Sequence, residues 1–554
     1  MTDMTTYQTR TPVDFVVIGS GAAGGVIARE LSTAGFSVVV LEQGPHLQPH
    51  EFRHDEWSYM YDDGLDWGPR QGYPQTYRKT EQDVAEVIDG WGPAAYAKVV
   101  GGSHSHFSGN YWRLRPVDFR ERSLLGPIAG SSFADWPISY DDLEPYYTRV
   151  DWEVGVSGVP GSFEPPRSKG YPLPPMPVKS PGVLLERGAT KLGLHADPAP
   201  VAILSQPYNG RNACIHCGFC NGFACEVGAK GSSHLTMIPQ AEATGRCEIR
   251  SESTVFRIET NDAGLVTEVR YFDRDGIEHA QKARAVVLSA NGAETPRLLL
   301  ESASNLHPDG LANSSGYVGK NLMFNTWTWA VGLFEHPVNA HKSIPTTRVV
   351  HDFYSIDPKL GFYGGGGIDA RSPSDGLPLT SVDWAYRPGV RNWGKEFKET
   401  MKEYFTHTAA FCGHGTALPQ LTNNISLDPS IKDKWGRPAV RVTYKDHADD
   451  MATMRFFTER SLELLDSAGA RETWHLEVVE QEAGNHLLGT CRMGDDPRTS
   501  VVDKHNRAHD VPNLFICDGS SLVTSGRGQP TMTIQALAFR AGEYIAEEAR
   551  RGNV

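Results

Sequence analysis

The chain has 554 residues, of which 39% are hydrophobic and 22% are charged, and its formal net charge is −14. These values are typical of a globular protein with large cores, and they exclude a wholly disordered chain and a small disulfide scaffold. An acidic chain without a basic run repels phosphate backbones, so we expect no nucleic-acid partner. No uncharged apolar stretch reaches the ~18 residues of a membrane span, so none is predicted.

The start of the chain predicts a strand, a Gly-rich turn, a helix and a second strand. Residues 13–18 are an apolar run, GSGAAGG follows, and SVVVLE comes after a helical pattern. Gly19 permits a tight turn, Gly21 lets the backbone approach a pyrophosphate, and Gly24 lets the helix pack on the strand. Glu42 closes the second strand, where a carboxylate can bind ribose hydroxyls. The unit predicts a dinucleotide site but does not separate FAD from NAD.

The middle of the chain predicts a mixture of elements. Residues 50–95 are rich in Gly, Pro and aromatic residues and predict irregular structure. A helix capped by Ser139 is predicted within 136–156, and the Pro- and Gly-rich residues 157–182 predict a loop. Strands and then a helix are predicted at 248–259, 266–272, 285–289 and 295–302.

The pattern changes near residue 326, which predicts a second unit. From 326 to 470, aromatic and apolar residues alternate between glycines, as in a mostly β unit. The tail then returns to a strand, a Gly-rich loop and a helix. We therefore predict a nucleotide-binding domain built from 1–325 and 471–554, with 326–470 as the substrate-binding domain. One larger interwoven domain is the alternative.

Four of the eight cysteines lie close together in the sequence. Their spacing can ligate an iron–sulfur cluster or zinc, and a loop without metal is the alternative. These four candidate ligands are Cys214, Cys217, Cys220 and Cys225. The others lie in apolar blocks and are predicted core residues; they are Cys247, Cys412, Cys491 and Cys517.

Three blocks near the C-terminus carry a further pattern: NHLLGTCRMG at 485–494, NLFICDGS at 513–520 and GRGQPTMTIQALAFR at 526–540. The Gly-rich turn at 19–24 is called the dinucleotide fingerprint below. Together with this fingerprint, the three blocks resemble the glucose–methanol–choline (GMC) family of FAD oxidoreductases. VVGGSHSHFSGNYW at 99–112 resembles another family block. The resemblance implies an α/β fold, with an FAD/NAD(P)-binding Rossmann-like domain and a substrate domain containing an antiparallel β-sheet. It also implies FAD as cofactor and an enzyme that oxidises a CH–OH group.

The resemblance implies two catalytic positions. His486 matches the family's catalytic histidine, and histidine is suited to take the hydroxyl proton while hydride passes to flavin N5. The second position is His or Asn in the family and is Gln529 here. Because glutamine cannot take a proton, we expect Gln529 to orient the alcohol or bond the flavin edge. His486 is then the only base.

The resemblance also implies a set of FAD contacts. The predicted set is Gly19, Gly21, Ala22, Ala23, Gly24, Glu42, Gly101, Gly102, Ser103, His106, Val255, Asp518, Gly519, Pro530 and Thr531. Pro530 and Thr531 open the last helix, whose positive N-terminus favours reduced flavin. His106 lies where pyranose oxidases carry a histidine bonded covalently to the flavin, so covalent and non-covalent contacts are both open.

The block at 99–112 and the cysteine segment look closer to sugar-oxidising branches of the family. We therefore expect a sugar, glycoside or cyclitol substrate, with a quinone, a partner subunit or O2 as electron acceptor; a small partner subunit is left open. The alternatives are oxidation of a steroid, aliphatic or aryl alcohol, a flavin-holding lyase, and a flavoprotein without enzymatic activity. The N-terminal residues lack a signal-peptide pattern, so we expect a cytoplasmic protein, with export alongside a partner as the alternative.

Overall fold

The computed structural model describes residues 5–52, 54–57, 72–88, 92–373, 377–379, 389–391 and 393–554. The strands of this part are β1 (Val13–Ile18), β2 (Val38–Leu41), β3 (Gln75–Arg78), β4 (Glu86–Ile88), β5 (Ala196–Pro198), β6 (Cys247–Arg250), β7 (Thr254–Thr260), β8 (Val266–Phe272), β9 (Glu278–Leu288), β10 (Thr326–Leu333), β11 (Arg348–Val350), β12 (Gly366–Arg371), β13 (Thr408–Gly415), β14 (Asn424–Lys432), β15 (Pro438–Thr443), β16 (Glu472–His475) and β17 (Leu514–Ile516).

The α-helices of this part are α1 (Ala22–Thr33), α2 (Glu121–Leu125), α3 (Tyr140–Val154), α4 (Ser180–Leu192), α5 (Met237–Ala243), α6 (Asn291–Glu301), α7 (Gly394–His407), α8 (Ala448–Ala468) and α9 (Thr531–Arg551). Ser139 caps α3 as predicted: its hydroxyl accepts from the Asp142 N–H, and the Asp142 carboxylate accepts from the Ser139 N–H. None of the described helices combines the length and apolar character that a membrane crossing requires.

A seven-stranded sheet forms the Rossmann-like part. Its order is β6-β2-β1-β9-β8-β7, with β17 beside β9. β1 pairs in parallel with β2 and β9, and its side chains are almost all buried, as expected for a strand covered on both faces. The predicted order β1, α1, β2 is confirmed, whereas the predicted strand 285–289 is the end of the longer β9 and the predicted helix 295–302 begins earlier, at Asn291.

A six-stranded sheet forms the second part, in the order β16-β10-β13-β12-β11-β5. Its pairings are antiparallel. β5 and β16 come from outside the predicted segment 326–470, so chain from both sides of that segment completes the sheet. The segment also contains α7 and α8, which the alternating pattern does not predict; α8 packs on β10 and β13.

A third sheet joins distant parts of the chain in the order β14-β15-β3-β4. β3 and β4 lie in the region 50–95, so the prediction of irregular structure is wrong there; 53, 58–71 and 89–91 lie outside the described residues. β3 forms because it pairs in parallel with β15, more than three hundred residues later. A local pattern cannot reveal such a pairing.

Candidate active site

A cavity of about 250 Å³ opens beyond the ends of β1, β2 and β9. Most of the predicted site residues line it: Gly19, Gly21, Ala22, Ala23, Glu42, Gly102, Ser103, His106, Val255, His486, Asp518, Gly519, Gln529, Pro530 and Thr531. Of the predicted FAD contacts, Gly24 and Gly101 lie outside this lining. The fold thus brings the fingerprint, the 101–106 loop and the C-terminal blocks to one place.

The three fingerprint glycines have three different surroundings. Gly19 has φ +93°, and an added Cβ would lie 2.5 Å from the Ser289 carbonyl oxygen. An added Cβ on Gly24 would lie 2.0 Å from the Gly19 carbonyl oxygen, so Gly24 serves the packing of α1 on the turn. An added Cβ on Gly21 meets nothing within 4 Å. The backbone at Gly21 is therefore open to a ligand, which fits a pyrophosphate at the N-terminus of α1.

Glu42 is buried at the end of β2 and linked to the turn. One carboxylate oxygen accepts from the Ser20 N–H at 3.1 Å and its hydroxyl at 2.7 Å, and the other accepts from the Gly44 N–H at 3.0 Å. Burial raises the pKa of Glu42, and these hydrogen bonds oppose the rise. The Ser20 hydroxyl also accepts from the Gly101 N–H at 2.9 Å, so Gly101 joins the 101–106 loop to the turn. Glu42 lines the cavity and fits a ribose.

The loop after Gly102 contributes two histidines. His106 is buried, and its burial, with Lys230 nearby, lowers its pKa well below the ordinary value. His104, to which the sequence assigns no role, also lines the cavity. Its Nδ1 accepts from the Ser233 N–H at 3.1 Å, and its Nε2 lies 2.9 Å from the Tyr111 hydroxyl. His104 therefore ties the loop to its neighbours.

His486 is held by an amide that the sequence does not predict. Its Nδ1 lies 2.8 Å from Oδ1 of Asn325. The Asn325 nitrogen points at backbone carbonyls, including that of Gly415 at 3.1 Å, which leaves Oδ1 for His486. His486 Nδ1 therefore carries the proton and Nε2 keeps its lone pair. Burial, with His414 and Arg371 nearby, lowers the pKa of His486 to about 3, so the ring is neutral at neutral pH.

Gln529 lies in the loop before α9, and an ionic cluster holds that loop. Nε2 of Gln529 lies 3.3 Å from Nδ1 of His414. Two residues earlier, the buried Arg527 pairs with Asp118 at 3.1 Å and with Glu121. Burial raises the pKa of Glu121 to about 7, and Arg527 opposes the rise. The loop position is thus set by charges outside the cavity.

Behind His414 lies another charged group that the sequence analysis does not identify. Arg371 holds both oxygens of Asp369, at 2.7 and 2.8 Å, and Asp369 lies 3.1 Å from Nε2 of His414. The sequence does contain a signal for this group: in the strand GGIDAR, Asp369 and Arg371 occupy alternate positions, so both side chains lie on one face of an otherwise apolar strand. Such charges are rarely buried without a partner.

A group of possible metal ligands that the sequence analysis does not identify lies in this same cluster. Within the described residues, one group of three possible ligands lies within 4.8 Å of one another: Asp369, Cys412 and His414. Arg371 already occupies both oxygens of Asp369, which opposes a second cation there.

The four clustered cysteines form no such group in the part of the chain that the structure describes. They are free thiols around a small cavity of about 40 Å³, with Cys217 exposed and Cys220 buried. Burial raises the pKa of Cys214 to about 11 and that of Cys220 to about 12. Because no three of these described sulfurs lie within 4.8 Å of one another, the residues do not fit a metal in this geometry, and we derive no step through one. The remaining four cysteines are buried, as predicted.

Comparison with known proteins places this architecture. Residues 137–326 and 419–538 match GMC oxidoreductase domains, and residues 17–78 match an NAD(P)-binding Rossmann-like domain. The chain is 38% identical to the 2-methyl-1,2-propanediol dehydrogenase of Mycolicibacterium austroafricanum, over 98% of this chain and 96% of that one. It is 29% identical to the fructose dehydrogenase large subunit of Gluconobacter japonicus, over 97% and 98%.

A solved structure shares the fold. A formate oxidase from Aspergillus oryzae, studied for FAD modification, aligns with a TM-score of 0.65 and 14% identity over 99% of this chain and 100% of that one. At this identity the likeness concerns the fold.

Proposed function

The chain belongs to the GMC oxidoreductase family and is an enzyme acting on CH–OH donors; we propose that it oxidises a CH–OH group of a sugar, glycoside or cyclitol with FAD. The observation that carries the proposal is the pairing of His486 and Gln529 at one cavity with the dinucleotide fingerprint. His486 presents an unprotonated Nε2, because its Nδ1–H donates to Oδ1 of Asn325.

The family implies FAD, and the residues of the cavity fit it. The open backbone at Gly21 and the N-terminus of α1 would hold the pyrophosphate, and Glu42 would hold the ribose. Pro530 and Thr531 place the N-terminus of α9 at the same cavity, without an acidic residue in its first turn. Bound there, FAD would supply the hydride acceptor for oxidation of the alcohol carbon.

The chain's own residues handle the proton. His486 receives the hydroxyl proton at Nε2, and the bond from Nδ1 to Asn325 holds the ring as its charge develops. Gln529 orients the alcohol through its amide. The expected rate contribution of such a base is about 10²–10⁴-fold.

The reduced flavin must pass its electrons to an acceptor before the next turnover. The relative named as a large subunit indicates that similar chains work with a partner subunit. We propose a quinone or a partner subunit as acceptor, with O2 as the competing choice. An oxidase forms H2O2 in air, whereas a dehydrogenase needs the added acceptor.

A second substrate class has a specific observation in its favour. The relative at 38% identity acts on 2-methyl-1,2-propanediol, a short diol. The competing proposal is therefore a small aliphatic diol.

The test is anaerobic titration of the purified flavoprotein with sugars, glycosides, cyclitols and short diols, followed by the visible flavin band. Bleaching by a sugar or cyclitol supports the first proposal, and bleaching by short diols alone favours the second. If no alcohol bleaches the flavin, oxidation of a CH–OH group of these classes is wrong. Release of an aldehyde without any acceptor would instead identify a lyase.

A further inference from the structure

A buried polar cluster lies directly behind Gln529 on the six-stranded sheet. His414 on β13 contacts Gln529, and Asp369 and Arg371 on the neighbouring strand β12 contact His414. All three side chains of the cluster are buried. Asp369 also accepts from the Asn110 amide and the Thr346 hydroxyl, each at 3.1 Å. These hydrogen bonds, together with the two from Arg371, fix the orientation of the Asp369 carboxylate.

The neighbours of His414 decide which ring nitrogen carries the proton. Nε2 lies 3.1 Å from Oδ2 of Asp369, and Nδ1 lies 3.3 Å from the Gln529 amide nitrogen. Nη2 of Arg371 lies 3.3 Å from Nε2 but donates to Oδ2 of Asp369 at the shorter distance of 2.8 Å, so its hydrogen bond goes to the carboxylate. Because a hydrogen bond to a carboxylate is stronger than one to a neutral group, Nε2–H donates to Asp369. Nδ1 therefore keeps a lone pair.

This tautomer orients the amide of Gln529. The Nδ1 lone pair attracts an amide N–H and repels the amide oxygen, so Nε2 faces His414 and Oε1 is turned away. A primary amide has two N–H groups, and one remains after this bond forms. Among the described residues, no hydrogen bond reaches Oε1, and Gln529 lines the cavity beside His486. One donor and one acceptor thus remain side by side for a ligand.

We propose that His414 and Asp369 are positioning residues that set the Gln529 amide to bind two adjacent hydroxyl groups of the substrate. The remaining N–H donates to the oxygen of the hydroxyl that gives its proton to His486, and Oε1 accepts from the neighbouring hydroxyl. This inference rests on the proposed function and deepens it. It narrows the substrate to an alcohol with a second hydroxyl next to the oxidised carbon, a class that includes both sugars and short diols.

The substrate part is tested with matched probe pairs. The pairs are 1,2-propanediol with 1-propanol and trans-1,2-cyclohexanediol with cyclohexanol, and the readout is the rate constant of anaerobic flavin reduction. We expect the wild type to favour each diol by about tenfold or more, because its site loses a hydrogen bond with the mono-alcohol. Gln529→Leu should reduce this preference to less than about threefold.

The positioning part is tested with a double-mutant cycle. His414→Phe keeps the ring volume but removes both hydrogen bonds, so the diol rate should fall about tenfold. In the Gln529→Leu background the same change should alter the rate less than about threefold, because the amide that it positions is absent. His414→Gln keeps one donor and one acceptor and should restore most of the diol preference.

A control variant separates positioning from damage to the sheet. Phe411 is buried on the same strand, three residues from His414, and its ring packs in an apolar cluster with Phe457 of α8. Side chains three residues apart on a strand point to opposite faces of the sheet, so Phe411→Leu should leave the diol preference unchanged. If Phe411→Leu and His414→Phe lower the rates of diol and mono-alcohol equally, the cluster acts only on packing and the inference is wrong.

A second readout does not depend on turnover. In the holoenzyme with 15N-labelled histidine, the His414 signals, assigned by their loss in His414→Gln, should show a neutral ring protonated at Nε2. Protonation at Nδ1 instead would overturn the positioning part. If no alcohol reduces the wild-type flavin, the proposed function and the substrate part both fail, and the tautomer decides the positioning part by itself.

Discussion

His486 and Gln529 face the same cavity, yet the groups that hold them differ in charge. His486 is held by a neutral amide, Asn325, at 2.8 Å; Asn325 is called the first anchor. Gln529 is held by His414, which contacts the ion pair of Asp369 and Arg371, and these three residues are called the second anchor. A base that must stay unprotonated is best held by a neutral group, because a carboxylate beside it would stabilise the imidazolium. A glutamine does not titrate, so an ionic anchor behind it does not impair its role.

The second anchor holds a buried pair of opposite charges, and its cation, Arg371, also helps to lower the pKa of His486. Burial favours a higher pKa for Asp369, but Arg371 and His414 hold that pKa below its ordinary value. Burial lowers the pKa of His414 although Asp369 opposes this, so His414 is neutral. The cluster thus carries one anion and one cation, and it lies behind the cavity lining.

The largest expected effect comes from removing the base. In His486→Ala, we expect the protein to keep FAD but to lose about 10²–10⁴-fold in the rate of flavin reduction by alcohol. Rapid anaerobic mixing measures this rate, and the flavin-to-protein ratio is the control. A rate close to that of the wild type would show that His486 is not the base.

Removing the cation of the second anchor should damage stability instead. Arg371→Leu leaves the buried Asp369 without its ion partner, which costs about 3–5 kcal/mol. Asn325→Leu removes only neutral hydrogen bonds and should cost about 1–3 kcal/mol. Chemical denaturation of both variants gives the comparison. Equal losses would mean that the two anchors do not differ in the way described.

Placing a charge at the first anchor should move the pH profile. The pKa of His486 is lowered to about 3, so the reduction rate of the wild type should be flat between pH 5 and 8. Asn325→Asp places a carboxylate beside Nδ1, which favours the protonated ring and raises its pKa by about 1–3 units. The acid limb should move towards neutral pH, and activity should be lost as pH falls. An unchanged profile would contradict the role of a neutral anchor.

The sequence predicts the strand–turn–helix–strand unit beside the cavity well. The order β1, α1, β2 is a local pattern, and the fingerprint glycines lie within it. Glu42 follows at the end of β2. The strands, the turn and the helix of this unit depend on residues that are close together in the sequence, so hydrophobic periodicity and turn residues are sufficient to predict them.

The two anchors depend on pairings that the sequence does not display. Asn325 meets Gly415 because β10 pairs with β13, about ninety residues later. Asp369 meets His414 because β12 pairs with the same strand. Strand register decides these contacts, and register follows from the whole sheet rather than from any short segment.

The smallest expected effect tests whether the ion pair or the neutral hydrogen bonds contribute more to the stability of the second anchor. Thr346 donates to Asp369 at 3.1 Å, and Thr346→Val removes this bond with little change in volume. Asp369 keeps Arg371, Asn110 and His414 as donors, so the variant should lose only about 1–2 kcal/mol of unfolding free energy. Its flavin-reduction rate should match the wild type, because His414 and Gln529 keep their contact. A loss as large as that of Arg371→Leu would show that hydrogen bonds, rather than the opposing charge of Arg371, stabilise the buried carboxylate.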